Sequence, residues 1–326
     1  MQDEWQPSCS IELLHLRAQV LAEIRAFFSA RSVIEVETPL LSCSSGTDPQ
    51  LDFFTSDYHS YPLHQTLYLQ TSPEFAMKRL LAAGCGSIYQ ICKAFRNGES
   101  GRFHNPEFTI LEWYRVDYNL TQLMDEVAEL ITLLFNGRIQ LMSTQRISYQ
   151  DLFDSYTGLD PLQFCYEDYC AYALKSQSPE AIELCKTDHN AWLDFIFSHH
   201  IQSFLGNNSL CMVYGYPACQ SSLARINKDN SKVTDRVEIF INGIELGNGY
   251  YELADAQEQN QRFDEEILLR QQNNRPSITK NTQLIAALKS GLPECSGIAI
   301  GLDRLLMILT KNNSIDDVIA FSIMRS

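Results

Sequence analysis

The chain is 326 residues long, 45% hydrophobic and 20% charged, which fits a soluble globular protein of one large domain or two ordinary ones. Its 40 acids against 25 bases leave a net charge of −15, which argues against broad charge-driven binding of nucleic acid. The ten cysteines include no Cys-x-x-Cys pair and no Cys/His group at zinc-finger spacing, so free thiols in a reducing cytoplasm are the simplest account. No apolar run reaches the length of a membrane span. The opening stretch, MQDEWQPSCSIELLH, carries acids where a secretory leader needs an apolar core.

Residues 1–10 read as an irregular tail and residues 11–326 as a single domain. Ile11 to Ala30 has helical periodicity, with Leu13, Leu16, Val20, Ile24 and Phe27 on one stripe. VIEVETPLL follows as a strand ended by Pro39, and residues 42–66 read as loop. SPEFAMKRLLAAGCG predicts a helix with Ser72 as N-cap, Pro73 at its first position and Gly84 at its end. Two strands come next, SIYQICKAF and EFTILEWYRV, joined by a loop of Asn, Gly, Glu and Ser. Leu120 to Phe135 predicts an amphipathic helix, and residues 140–210 read as mostly helical with no distinctive motif. VEIFINGIELGNGYYEL predicts a hairpin turning at Asn242-Gly243. Residues 255–272 form a polar helical pattern, and SGIAIGLDRLLMILT reads as a strand running into a helix. This order predicts the α+β class, an antiparallel β-sheet flanked by helices rather than a doubly wound parallel sheet.

Three places carry candidate chemistry. In the first hairpin, side-chain alternation puts Phe108, Ile110, Glu112 and Tyr114 on one face, with Arg96, Arg102 and His104 at its mouth. An aromatic plate, a carboxylate, a phenol and cationic groups suit a purine, a triphosphate and a charged amine. Glu112 shares its face with apolar residues and so requires a partner. In the second hairpin, pairing around Asn242-Gly243 sets Phe240 opposite Glu245, so Glu238 and Glu245 project from one side. Two such carboxylates suit Mg²⁺, which takes a few carboxylates plus phosphate oxygens and water; a solvated edge hairpin is the alternative. A bulge near Gly247 and Gly249 would bring Glu252 to the same side. At the third place, small residues at 297, 299 and 301 precede Asp303-Arg304. A helix start and a guanidinium there suit phosphate, although tight packing and a surface ion pair explain the same residues. The chain has neither a Gly-x-Gly-x-x-Gly nor a Walker loop.

Taken together, these segments resemble the class II aminoacyl-tRNA synthetases, and within them the lysyl branch. The helix leading into VIEVETPLL with Pro39 resembles the family's first motif. Phe95-Arg96, His104, Phe108 and Glu112 resemble its second, and Gly297 to Arg304 its third. SPE at 72–74, HNPEF, LEWY and IELGNGYYEL are further lysyl-branch features. The resemblance implies adenylate formation from ATP with Mg²⁺, and a homodimer built through the Pro39 segment. It implies Arg96 and Arg304 as the catalytic arginines, on the α- and γ-phosphates. It implies an ATP site of Arg96, Asn97, Gly98, His104, Asn105, Phe108, Glu245, Leu246, Gly301 and Arg304. It assigns the amino acid to Ser72, Pro73, Glu74, Tyr114, Glu252 and Ala299, and the metal to Glu238 and Glu245.

Three departures narrow the resemblance. The lysyl enzymes carry an N-terminal anticodon-reading barrel, which a ten-residue tail does not supply. Ala299 stands where they have glycine near the amino-acid pocket, and its methyl disfavours an α-amino group. Both features resemble a truncated branch of paralogues that transfers (R)-β-lysine to elongation factor P, and they argue against tRNA as acceptor. Where the family reads Arg-Asn-Glu, this chain has Arg96-Asn97-Gly98 with Glu99 one place later. Either Glu99 replaces that acid or Gly98 contributes backbone only. The alternatives are a truncated enzyme that charges tRNA and an inactive regulatory paralogue.

Overall fold

The computed structural model describes residues 5–326, so part of the predicted tail, residues 1–4, lies outside the described residues. In chain order the elements are α1 (Ile11–Ser29), β1 (Ile34–Glu35), β2 (Leu41–Ser42), β3 (Thr55–Ser60), β4 (Leu63–Leu69), α2 (Glu74–Ala82), β5 (Ile88–Phe95), β6 (Glu107–Val116) and α3 (Leu120–Phe135). There follow β7 (Gln145–Ser148), α4 (Tyr149–Thr157), α5 (Tyr166–Lys175), α6 (Glu180–Cys185), α7 (His189–Ile196), β8 (Cys211–Tyr214), β9 (Arg236–Ile241) and β10 (Ile244–Tyr251). The last four are α8 (Ala256–Gln272), α9 (Thr282–Gly291), β11 (Cys295–Gly301) and α10 (Leu302–Thr310). The chain forms two compact units, one running up to Tyr118 and resuming at Ala254, the other Asn119–Leu253. Among the described residues, no helix is long and apolar enough to cross a membrane.

In the first unit β1 runs parallel to β5, and β5, β6 and β11 follow antiparallel. One face of this sheet is apolar. Tyr89 and Trp113 pair across β5 and β6, and Ile298 lies beside Trp113 on β11. Phe28 of α1 stacks on Tyr89 at 4.5 Å and tilts against Trp113 at 5.4 Å. The predicted stripe is what α1 buries: Val20, Ile24 and Phe27 lie inside, with Phe28 beside them. Burying each such side chain contributes roughly 1.5–3 kcal/mol. Ser10 caps the helix by accepting from the Leu13 amide. The opposite face of the sheet, carrying Gln90, Cys92, Glu112 and Tyr114, is left to the candidate site.

Two expectations fail here. The strand predicted over 33–41 shrinks to β1, although the Val36 amide still bonds the Tyr89 carbonyl. Pro39 has no N–H to continue the ladder, and past it Leu41 pairs with Leu69 in a separate sheet of order β2-β4-β3. The predicted loop at 42–66 contains the hairpin β3–β4. Every residue of β3 is exposed, so both its faces are polar and no period-two signal marks it. In addition α2 starts one residue late: the Ser72 hydroxyl accepts from the Glu74 amide, and Pro73 occupies the cap position.

The loop before β3 is fastened to α8. Arg270, nearly fully buried, donates to the carbonyls of Asp48 and Leu51 at 2.7 and 2.6 Å. The Thr47 hydroxyl donates to Glu266. Burial pushes the Glu266 carboxyl up to about 7, with Asp48 adding to the shift. A carboxyl raised above its unfolded value holds its proton in the folded state while the unfolded chain ionises. Stability therefore falls as pH rises through the window from about 4.5 to about 7. Glu266→Gln is expected to flatten that fall and to melt above the parent at pH 8. Melting curves across that range check it; superimposable pH profiles of the two proteins would count against it.

In the second unit the strand order is β10-β9-β8-β7, with only β7 and β8 parallel. Its core gathers Tyr149, Phe153, Trp192, Phe197, Tyr216 and Phe240. The region 140–210 is mostly helical as predicted, with β7 inserted. Asn242 and Gly243 both have positive φ, 52° and 74°, the conformation a two-residue hairpin turn demands. Both units are thus mixed, mostly antiparallel sheets with helices, the α+β class expected.

Candidate active site

In the first unit the candidate residues converge at the open end of the β5–β6 hairpin. The Arg96 guanidinium lies 5.1 Å from the centre of the Phe108 ring and 3.7 Å from Glu99. Glu99 reaches to 4.0 Å from His104. Arg304 donates to the Phe103 carbonyl at 3.2 Å and to Nε2 of His104 at 2.7 Å. Arginine has no acceptor, so His104 Nε2 is an unprotonated acceptor there. Burial, and then the Arg304 charge, hold the His104 imidazole below its usual range. Two arginines, one aromatic ring and a neutral imidazole thus face one small space.

The Glu99-or-Gly98 alternative now has a geometric basis. Gly98 has φ +82°, where a side chain is strained. Glu99 carries the acid, beside Arg96 and His104. The Asn97 amide bonds the Asp52 carbonyl at 3.0 Å, and Arg275 grips the Asp52 carboxylate at 2.7 Å. Asn105 is buried, and its side chain is committed to backbone: it donates to the Glu107 carbonyl and accepts from the Ile323 amide.

Further along the same face, the Tyr114 hydroxyl donates to Glu112 at 2.7 Å. On β11, Gly297, Ala299 and Gly301 sit opposite Tyr114, Glu112 and Ile110. The small residues therefore lie beside the hairpin's polar face, and the Ala299 methyl is the next side chain to Glu112. Gly301 also forms the N-cap of α10. Asp303 is no surface ion-pair partner of Arg304. It is buried, accepting from the Thr109 amide at 2.6 Å and from Arg17 at 2.5 Å. At the start of α2, Glu74 takes a 2.7 Å ion pair from Lys78, which is almost fully buried. Lys78 was missed in the sequence, although its i+4 spacing from Glu74 on a helix was a readable signal.

The second unit holds the three glutamates. Phe240 is opposite Glu245, and the register slips between Glu245 and Gly247. Leu246, buried, is the extra residue. Past the bulge, Asn248 is opposite Glu238, so Asn248, Tyr250 and Glu252 turn to the side that Glu238 and Glu245 occupy. Arg236 donates to Glu238 and, at 3.2 Å, to Asn248. The Tyr216 hydroxyl bonds the other Glu238 oxygen at 2.6 Å. Burial pushes the Glu238 carboxyl up, the neighbouring Glu245 charge pushes the same way, and Arg236 pulls it back. Glu238 and Glu245 are both half-buried, and two carboxylates whose charges oppose each other on one side of a hairpin form a donor set that suits a divalent cation. Glu252 is buried next to Ala224, with which it bridges. Arg236, Tyr216 and Asn248 escaped the sequence reading; the bulge hides Asn248 from simple alternation. A cavity of about 700 Å³ at the end of α3, lined by Phe135, Arg138 and Met142 among others, includes none of these residues.

A mostly antiparallel sheet with a Phe-Arg hairpin and a glycine-strand leading into Asp-Arg in the first unit, and a carboxylate hairpin in the second, are the elements of a class II synthetase catalytic fold. The family model "tRNA synthetases class II (D, K and N)" matches residues 7–325, and the chain belongs to that family. It is 43% identical to a protein named elongation factor P–(R)-beta-lysine ligase from Buchnera aphidicola subsp. Schizaphis graminum, over all of both chains. It is 43% identical to the protein of the same name from Haemophilus ducreyi, covering 99% of this chain and 97% of that one. With the one from Pasteurella multocida it shares 42% identity over 99% and 98%.

Proposed function

We propose that the chain activates (R)-β-lysine with ATP and transfers it to the ε-amine of a lysine on elongation factor P. The observation that carries this reading is the cluster of Arg96, His104, Phe108 and Arg304 on the hairpin face that also bears Glu112, with Ala299 beside it. In the first step a β-lysine carboxylate oxygen attacks the α-phosphorus, and the bond to the leaving pyrophosphate breaks. Phe108 stacks on adenine, Arg96 meets the α-phosphate and Arg304 the γ-phosphate, so charge developing on phosphate oxygens meets positioned donors. Gly301, Asn97 and Gly98 complete the nucleotide contacts, and Asn105 and Leu246, whose side chains are buried, contribute backbone only. In the second step the neutral ε-amine attacks the adenylate carbonyl, AMP leaves, the amide forms and a proton is released.

Ser72, Pro73, Glu74, Tyr114 and Glu252 take the amino acid. Its two cationic amines call for carboxylates, and Ala299 disfavours an amine in the α position. Glu238 and Glu245 would hold Mg²⁺, which supplies charge neutralisation for the phosphates when bound. Exposed Ile34, Leu40 and Leu41 around Pro39 support a homodimer through that segment. All ten cysteines are free, which supports a cytoplasmic location.

The deciding experiment supplies ATP, Mg²⁺ and either (R)-β-lysine or α-lysine, with elongation factor P or tRNA as acceptor. The mass of the modified acceptor is the readout. Preference for β-lysine on the protein is expected; equal or better transfer of α-lysine to tRNA would sink the reading. No amino-acid-dependent pyrophosphate exchange with any lysine isomer would mark a regulatory paralogue.

A further inference from the structure

The β3–β4 hairpin contributes no residue to the site described above. Its register sets His59 directly opposite His64, and both are exposed. Their Nδ1 atoms lie 2.7 Å apart, with ring centroids at 4.9 Å and planes tilted by 66°. At that distance one Nδ1 carries a proton and the other accepts it, so an N–H and a lone pair converge on one point. The turn at Tyr61-Pro62 follows immediately after the next pair, Ser60 and Leu63, which pins the register.

We infer that His59 and His64 form a two-imidazole binding site for a borderline divalent cation of the zinc type, which takes the place of the bridging proton. Imidazole nitrogen is a preferred ligand for such ions. Two bonds of about 2.0–2.1 Å at a tetrahedral angle hold their nitrogens roughly 3.3 Å apart, about 0.6 Å wider than here and within reach of side-chain rotations of exposed imidazoles. The displaced proton moves to Nε2 of its own ring, so two neutral imidazoles bind the ion with no net proton release. Asp57, two residues before His59 on the same face of β3, adds negative charge nearby. Among the described residues, no group of three or more His, Cys, Asp or Glu side chains could hold a metal ion, so water completes the coordination.

Calorimetric titration of the tag-free full chain with ZnCl₂ tests the site. One equivalent is expected to bind the parent. His59→Ala and His64→Ala should each weaken binding by more than about tenfold, while His199→Ala leaves it unchanged. Binding should fade in acid, because an imidazolium has no lone pair to offer. Absence of saturable binding overturns the inference, as does binding that survives in both hairpin variants or is indifferent to pH. Both side chains are exposed, so the variants are expected to fold, and unchanged melting curves verify that.

Discussion

Replacing Arg304 by alanine is expected to lower β-lysine-dependent exchange of pyrophosphate into ATP by about 10³-fold or more, while the fold survives. The structure separates the two effects. Arg304 is only half-buried, and it bonds the Phe103 carbonyl and His104, both in the hairpin loop. Those partners lie in a loop rather than in the core, so the melting midpoint should move by less than about 4 °C. Arg304→Lys keeps the charge but loses the planar fork and should recover only a small part of the activity. Near-normal exchange by the alanine variant would show that the strand-to-helix junction does not contact nucleotide.

The neighbouring substitution has the opposite signature. Asp303→Ala is expected to destabilise the chain by about 3–5 kcal/mol, because it leaves Arg17 beside a buried, vacated acceptor and strips the Thr109 amide of its partner. Asp303 joins α1, β6 and α10 through those two bonds, so the loss is shared by three elements of the first unit. Denaturant unfolding measures it. Removing both charges in Arg17→Met/Asp303→Leu should cost clearly less than the sum of the single changes, since no buried charge is then stranded. A single variant as stable as the parent would refute the structural role of the carboxylate.

Asp303 and Arg304 also show where sequence reading stops. Their adjacency and the small residues before them were legible, but not that one side chain faces inward and the other outward. The hairpin face was legible because period-two alternation with apolar neighbours is a strong local signal. Phe108, Glu112 and Tyr114 fall as that alternation places them, and Ala299 joins them by a pairing between strands nearly 190 residues apart in sequence. Tertiary hydrogen bonds left no such trace. Nothing local shows that Asn105 is clamped between the Glu107 carbonyl and the Ile323 amide, or that Pro39 sends the chain from one sheet to another. The β3–β4 hairpin was invisible for a physical reason: a strand with two wet faces has no buried side to pattern.

The bulge at Leu246 acts on its strand as a frameshift acts on a message. Every side chain downstream is read on the other face, with no change in its identity. Asn248, Tyr250 and Glu252 owe their orientation to one inserted residue, whose own side chain is buried and chemically inert. The length of this strand is therefore under as strict a constraint as its polar residues. A relative that keeps every glutamate but lacks one residue between Glu245 and Gly249 would present a different surface altogether.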